Sequence, residues 1–116
     1  MDIDILSNIY ESGALNKIYG MGETTIEDIK NFTQYAVEKI INDNDLPIDI
    51  IEIYIKESEI NNNPHRNYDL DIILYYNGNM KENNLSDILH KEKYVDILTY
   101  DKVYINLIPK LDKNEI

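Results

Sequence analysis

The sequence predicts an α/β fold of the α+β kind, a small mixed sheet of three to five strands with helices packed on it. Three observations carry that prediction. Ile26, Ile29, Phe32, Thr33, Ala36, Val37 and Ile40 recur every three or four residues, the stripe of an amphipathic helix. Asp69-Leu70-Asp71-Ile72-Ile73-Leu74-Tyr75-Tyr76 is an apolar and aromatic run that stops at Asn77-Gly78, as a strand before a turn does. Around it, Leu46–Lys56 and Val103–Pro109 are rich in Ile, Val and Tyr and are bounded by polar or turn residues.

Taken in order, Ile5, Leu6 and Ile9 have helical spacing, so Ile3–Tyr10 is expected to form a short helix ending near Ser12-Gly13. Gly20-Met21-Gly22 breaks the chain. A helix start follows, with Thr24 and Glu27 at capping-box spacing and Thr25 and Asp28 offering a second register. The helix over Thr25–Ile41 is expected to end before Asn42-Asp43-Asn44-Asp45 and Pro47. The next strand places Ile51, Ile53 and Ile55 on one face and Glu52, Tyr54 and Lys56 on the other. Asn61–Asn67, which contains Pro64, is a polar loop expected to be exposed. Asp69–Tyr76 is apolar on both faces beyond its acids, as a central strand covered on both sides would be. A short helix around Leu85–Leu89 comes next. Tyr94–Leu98 is expected to be a strand hairpinned through Tyr100-Asp101-Lys102 to Val103–Ile108, and Asp112–Ile116 to be a frayed tail. The whole reads as one domain over residues 1–116, helical over 1–45 and sheet-bearing over 46–110.

Composition narrows the function. With no cysteine there is no disulfide scaffold and no Cys-based zinc site. No apolar run approaches the ~20 residues of a membrane span, and the start Asp2-Ile3-Asp4 is unlike a basic leader, so a cytoplasmic protein is expected. Asp and Glu number 22 against 11 Lys plus Arg, a formal charge of −11, and Arg66 is the one arginine. Direct nucleic-acid binding is therefore not expected, because phosphate recognition relies on basic side chains. Such a field favours basic partners or divalent cations, or serves only to keep a surface solvated. Ten tyrosines with no tryptophan and one phenylalanine supply side chains that bury area and still offer a hydroxyl, in a core or at an interface.

Asp69 and Asp71 are the chief candidate site residues. Strand side chains alternate, so the two carboxylates share a face with Cα atoms about 7 Å apart, near enough to hold one hard cation such as Mg²⁺. The alternative is that they cap a solvated strand end. His65 and His90 lack zinc-site spacing, and no glycine pattern cradles phosphate.

The order of elements over residues 50–110, with Asp69-Leu70-Asp71 opening a strand that ends in Tyr76-Asn77-Gly78, resembles the minimal nucleotidyltransferase-fold domains of the polymerase-beta-like kind. In that family a Gly-Ser turn leads from a strand into a helix, an Asp-x-Asp opens the next strand, and a third Asp lies on a later one. Here Glu57-Ser58 stands where Gly-Ser would, and the polar loop Asn61–Asn67 where that helix would run. Counting along the late strand puts Tyr104 at the third acid position, with Asp96 of Val95-Asp96-Ile97 a rival placement. The resemblance thus implies a degenerate site: a glycine lost where nucleotide phosphates approach the backbone, and one metal ligand short.

Two main functions compete. One is a non-catalytic acidic binding protein, a pseudoenzyme that engages the basic surface of a nucleic-acid-handling protein through Glu57, Glu59, Asp69 and Asp71. In size and charge it resembles phage-encoded inhibitors of host defence that mimic nucleic acid. The other is a working Mg²⁺-dependent nucleotidyltransferase, the small member of a two-protein module, with Asp69 and Asp71 as metal ligands. A homo-oligomeric structural domain is a third reading.

Overall fold

The computed structural model describes residues 18, 21–55 and 69–112. The expected first helix at Ile3–Tyr10, the Glu57-Ser58 turn with Glu59, and the loop at Asn61–Asn67 lie outside the described residues. Helix α1 spans Ile26–Asn44, strand β1 Ile48–Ile55, strand β2 Leu70–Gly78 and helix α2 Glu82–Leu89. A 3-10 turn at Glu92–Tyr94, the two-residue strand β3 at Thr99–Tyr100 and strand β4 at Val103–Leu111 follow. The strand order is β1-β2-β4-β3, with β2 antiparallel to β1 and parallel to β4. This is the α+β fold that the sequence predicts, with β2 in the interior of a mixed four-stranded sheet.

Helix α1 starts where its cap allows. The Thr25 hydroxyl accepts from the Asp28 amide at 3.1 Å, and the Asp28 carboxylate accepts from the Thr25 amide at 3.0 Å. The second of the two capping registers is thus the one used. Ile29, Thr33, Ala36, Val37 and Ile40 form the buried stripe. The helix runs to Asn44, past the end expected at Ile41, and stops at Asp45 in the left-handed conformation, φ 51°. A tertiary contact holds the extra turn: the Asn44 side-chain amide donates to the Ile40 carbonyl at 2.8 Å and to the Tyr94 hydroxyl at 2.7 Å.

One sheet face makes the core. Leu70, Ile72, Leu74 and Tyr76 of β2 are fully buried, beside Ile53 and Ile55 of β1 and Ile105 and Leu107 of β4. Leu85 and Leu89 of α2 join the same cluster as the α1 stripe. Each such side chain contributes about 1.5–3 kcal/mol of burial. The other face of β2 is only half-buried at Asp71, Ile73 and Tyr75, so this strand is not covered equally on both sides as its sequence suggested.

Four further expectations are corrected. Ile51 does not share a face with Ile53 and Ile55, for the β1–β2 register shifts between Ile50 and Glu52. This bulge puts Ile51 and Glu52 side by side opposite Tyr75, and leaves Ile51 40% exposed. Tyr94–Leu98 is not a strand. Val95 donates to the Glu92 carbonyl at 3.1 Å, Leu98 to Tyr94 at 3.1 Å, and the Thr99 hydroxyl to Val95 at 2.7 Å, which closes the segment into helical turns. The hairpin is shorter than expected, with Thr99 and Tyr100 pairing to Tyr104 and Val103 across Asp101 and Lys102, both at positive φ. Finally, Asp112, the one described residue of the tail expected to fray, is held by its amide, which donates to the Tyr76 carbonyl at 2.8 Å, while residues 113–116 lie outside the described residues.

Candidate functional site

The half-buried sheet face carries the candidate residues. Asp69 is exposed just before β2, and Asp71 is half-buried on its second residue. Parallel pairing of β2 with β4 sets Leu70 beside Ile105 and Asp71 beside Asn106. Because paired residues of neighbouring strands share a face, Asn106 stands next to Asp71 above the sheet. Its side-chain amide donates to Asp71 Oδ1 at 3.0 Å.

That hydrogen bond fixes the direction of a longer chain. An ionised carboxylate only accepts, so the Asn106 NH₂ must face Asp71 and its carbonyl oxygen must turn away. Asn106 Oδ1 only accepts and lies 2.8 Å from His90 Nε2, so that ring nitrogen donates to it. The other nitrogen, Nδ1, lies 2.7 Å from the Ser86 carbonyl oxygen and 3.2 Å from its hydroxyl. His90 is the C-terminal cap of α2, so the end of that helix is joined through Asn106 to the mouth of β2.

Tyr104 is beside the other acid. Burial pushes its phenol above the ordinary value of 10.0, and the charge of Asp69 pushes it the same way. A phenol held neutral does not serve as a hard-cation ligand. The two β4 residues nearest the acid pair are therefore a tyrosine and an asparagine. Asp96, the rival third acid, is exposed in the turn before β3. Among the described residues no three His, Cys, Asp or Glu side chains are placed to hold a metal ion together. Asp69 and Asp71 amount to a two-carboxylate site, one of whose oxygens already accepts from an amide, and two-metal phosphoryl transfer calls for more ligands than that.

The face also bears Glu52 and Tyr54 of β1, both exposed, and Ile73 and Tyr75 of β2, both half-buried. Sequence reasoning found Asp69 and Asp71 but missed Asn106 and His90. Asn106 is 35 residues from Asp71 and 16 from His90, and only the strand register brings the three together. Glu57 and Glu59 lie outside the described residues. Among the described residues no helix is long and apolar enough to cross a membrane. No protein-family model matches the chain, and no curated protein and no solved structure matches it either.

Proposed function

We propose that this chain is a non-catalytic binding protein on a nucleotidyltransferase-like scaffold, and that its acidic sheet face engages a basic surface on a nucleic-acid-handling protein. One observation carries the reading. Where a third carboxylate would have to stand, β4 offers Asn106 bonded to Asp71 and Tyr104 beside Asp69. These neighbours supply hydrogen bonds and aromatic surface, which suit recognition, and no charge to balance a second cation. The −11 charge supports a basic partner, and steering by such a field is strongest toward a groove that ordinarily holds nucleic acid. An inhibitor of host defence acting in the cytoplasm as a nucleic-acid mimic fits that description. It would need no cofactor.

The test has two arms. Incubation with each labelled nucleotide and Mg²⁺ or Mn²⁺ should transfer nothing to protein or RNA above background. Transfer abolished by Asp69→Asn with Asp71→Asn would instead establish the Mg²⁺-dependent nucleotidyltransferase. A partner captured from host lysate should bind less tightly as salt rises and be displaced by added nucleic acid. Asp69→Asn with Asp71→Asn, or Glu57→Gln with Glu59→Gln, should weaken it. Glu38→Gln with Asp43→Asn on α1 is the charge-matched control and should not. Equal binding by all three double variants, or binding indifferent to salt and to nucleic acid, overturns the reading.

A further inference from the structure

We infer that the edge of β1 is a self-recognition surface through which two copies of the chain join their sheets about a two-fold axis. Strand β1 ends the strand order, and among the described residues it pairs only with β2. Its eight residues, Ile48 to Ile55, contain no proline and two acids, Asp49 and Glu52, both exposed. Two of the large apolar side chains most open to solvent, Ile51 at 40% and Tyr54 at 42%, lie on this strand. An exposed, apolar edge of this length is a template for another strand unless something blocks it.

The bulge decides which strand fits. A regular strand alternates faces throughout, but β1 changes parity in the middle. Ile48 and Ile50 turn toward the core before the bulge, Ile53 and Ile55 after it, and Asp49, Ile51, Glu52 and Tyr54 turn outward. From either end the strand therefore reads in-out-in-out. It is a palindrome of faces centred between Ile51 and Glu52.

A second copy of β1, laid antiparallel about that centre, sets Ile48 opposite Ile55, Asp49 opposite Tyr54, Ile50 opposite Ile53, and Ile51 opposite Glu52. Every position then meets one of the same face. A regular strand would set one residue against the outward pair Ile51-Glu52, as Tyr75 of β2 does, and leave the other unopposed.

Charge agrees with this register. Asp49 meets a tyrosine and Glu52 meets an isoleucine, so no acid is directly opposite an acid. Shifting by one residue to a centre at Glu52 would set Glu52 against its own copy, and like charges directly opposite destabilise a sheet. The contact is isologous, so it closes at two copies and leaves no β1 edge to propagate.

Net charge opposes association, because each copy brings −11. Dimerisation should therefore tighten as salt screens that repulsion. This is the reverse of the salt response expected of a basic partner, so failure of either idea leaves the other standing.

Sedimentation equilibrium and engineered cross-links test the proposal. Between about 0.1 M and about 1 M salt, where the Debye length falls from ~10 Å to ~3 Å, a monomer–dimer equilibrium should move toward dimer. Ile51→Glu sets acid against Glu52 of the second copy and should return the chain to monomer, whereas Ile51→Lys should keep or strengthen the dimer. The residue is exposed, so circular dichroism should show both variants folded. The chain has no cysteine of its own, so cross-links can be placed without background. A mixture of Asp49→Cys and Tyr54→Cys chains should oxidise to the mixed disulfide dimer, and neither variant alone should. Within one chain these positions are five residues apart on a strand, roughly 16 Å, too far to bridge. A monomer at high salt, species larger than a dimer, an Ile51→Glu dimer as tight as the parent, or equal cross-linking by the single variants would each overturn the proposal.

Discussion

A tyrosine against a carboxylate has a cost that depends on pH, and Tyr104 makes that cost measurable. Its phenol is raised above 10.0 first by burial and then by Asp69. In the unfolded chain it would ionise near its ordinary value, while in the folded chain it keeps its proton to higher pH. The folded state thus binds more protons above pH 10, and by linkage its stability is complete below that pH and falls as pH rises through the folded value. Tyr76 behaves likewise, raised by burial and by Glu82, with its hydroxyl donating to the Met80 carbonyl at 2.7 Å. Tyr104→Phe should therefore flatten the alkaline limb of urea stability without abolishing it, since Tyr76 remains. An unchanged limb in Tyr104→Phe would mean that the phenol ionises as freely in the folded protein as in the unfolded. Little of this was legible in the sequence. Asp69 and Asp71 announced themselves by spacing, but the pairing of Asp71 with Asn106 depends on a register across a parallel crossover, and local pattern carries no register of that kind.

At the scale of elements, legibility followed periodicity. The α1 stripe contained every buried residue of the helix, with Ile26 and Phe32 half-buried at its margin, because a helix of five turns repeats its face many times. Strand β1 did not, because a bulge changes parity without changing residue type, and Ile51 is as apolar as the isoleucines that are buried. The segment after α2 was misread for a related reason. Val95 and Ile97 have strand propensity, but backbone bonds to Glu92 and Tyr94 and the burial of Tyr94 favour turns. Helix α1 also holds one residue that breaks its own rule. Thr33 is fully buried, yet among the described residues its hydroxyl has no hydrogen-bond partner. An unmet buried hydroxyl costs more than a methyl of the same shape, and valine and threonine have similar helix propensities. Thr33→Val should therefore stabilise the fold by about 1 kcal/mol, raising the thermal midpoint by roughly 4 °C. A fall in the midpoint would show that the hydroxyl has a role which the packing of α1 does not reveal.

Over the whole molecule, charge is the widest-reaching influence. Twenty-two acids against eleven bases leave −11 on 116 residues, and folding brings these charges closer than they are in the extended chain. The folded state then carries more self-repulsion than the unfolded one, and added salt relieves the folded state more. Urea is uncharged, so a urea titration separates this effect from the denaturant's own ionic strength. The midpoint should rise between about 0.01 M and about 0.15 M salt, as the Debye length drops from ~30 Å to ~8 Å, with little change in slope. Measured at protein concentrations low enough to keep the chain monomeric, the rise should not depend on concentration, whereas a dimer would add a concentration-dependent gain of its own. Glu38→Gln with Asp43→Asn should reproduce part of it at low salt, since both acids are exposed on α1 and their loss lowers the net charge directly. Charge would then act in three directions on one protein: salt strengthens the fold, strengthens the β1 pairing and weakens the hold on a basic partner. A midpoint that falls or stays level with salt would mean that the acids are balanced locally by the eleven bases. The −11 would then be a matter of composition rather than of field, and the case for a basic partner would lose its main support.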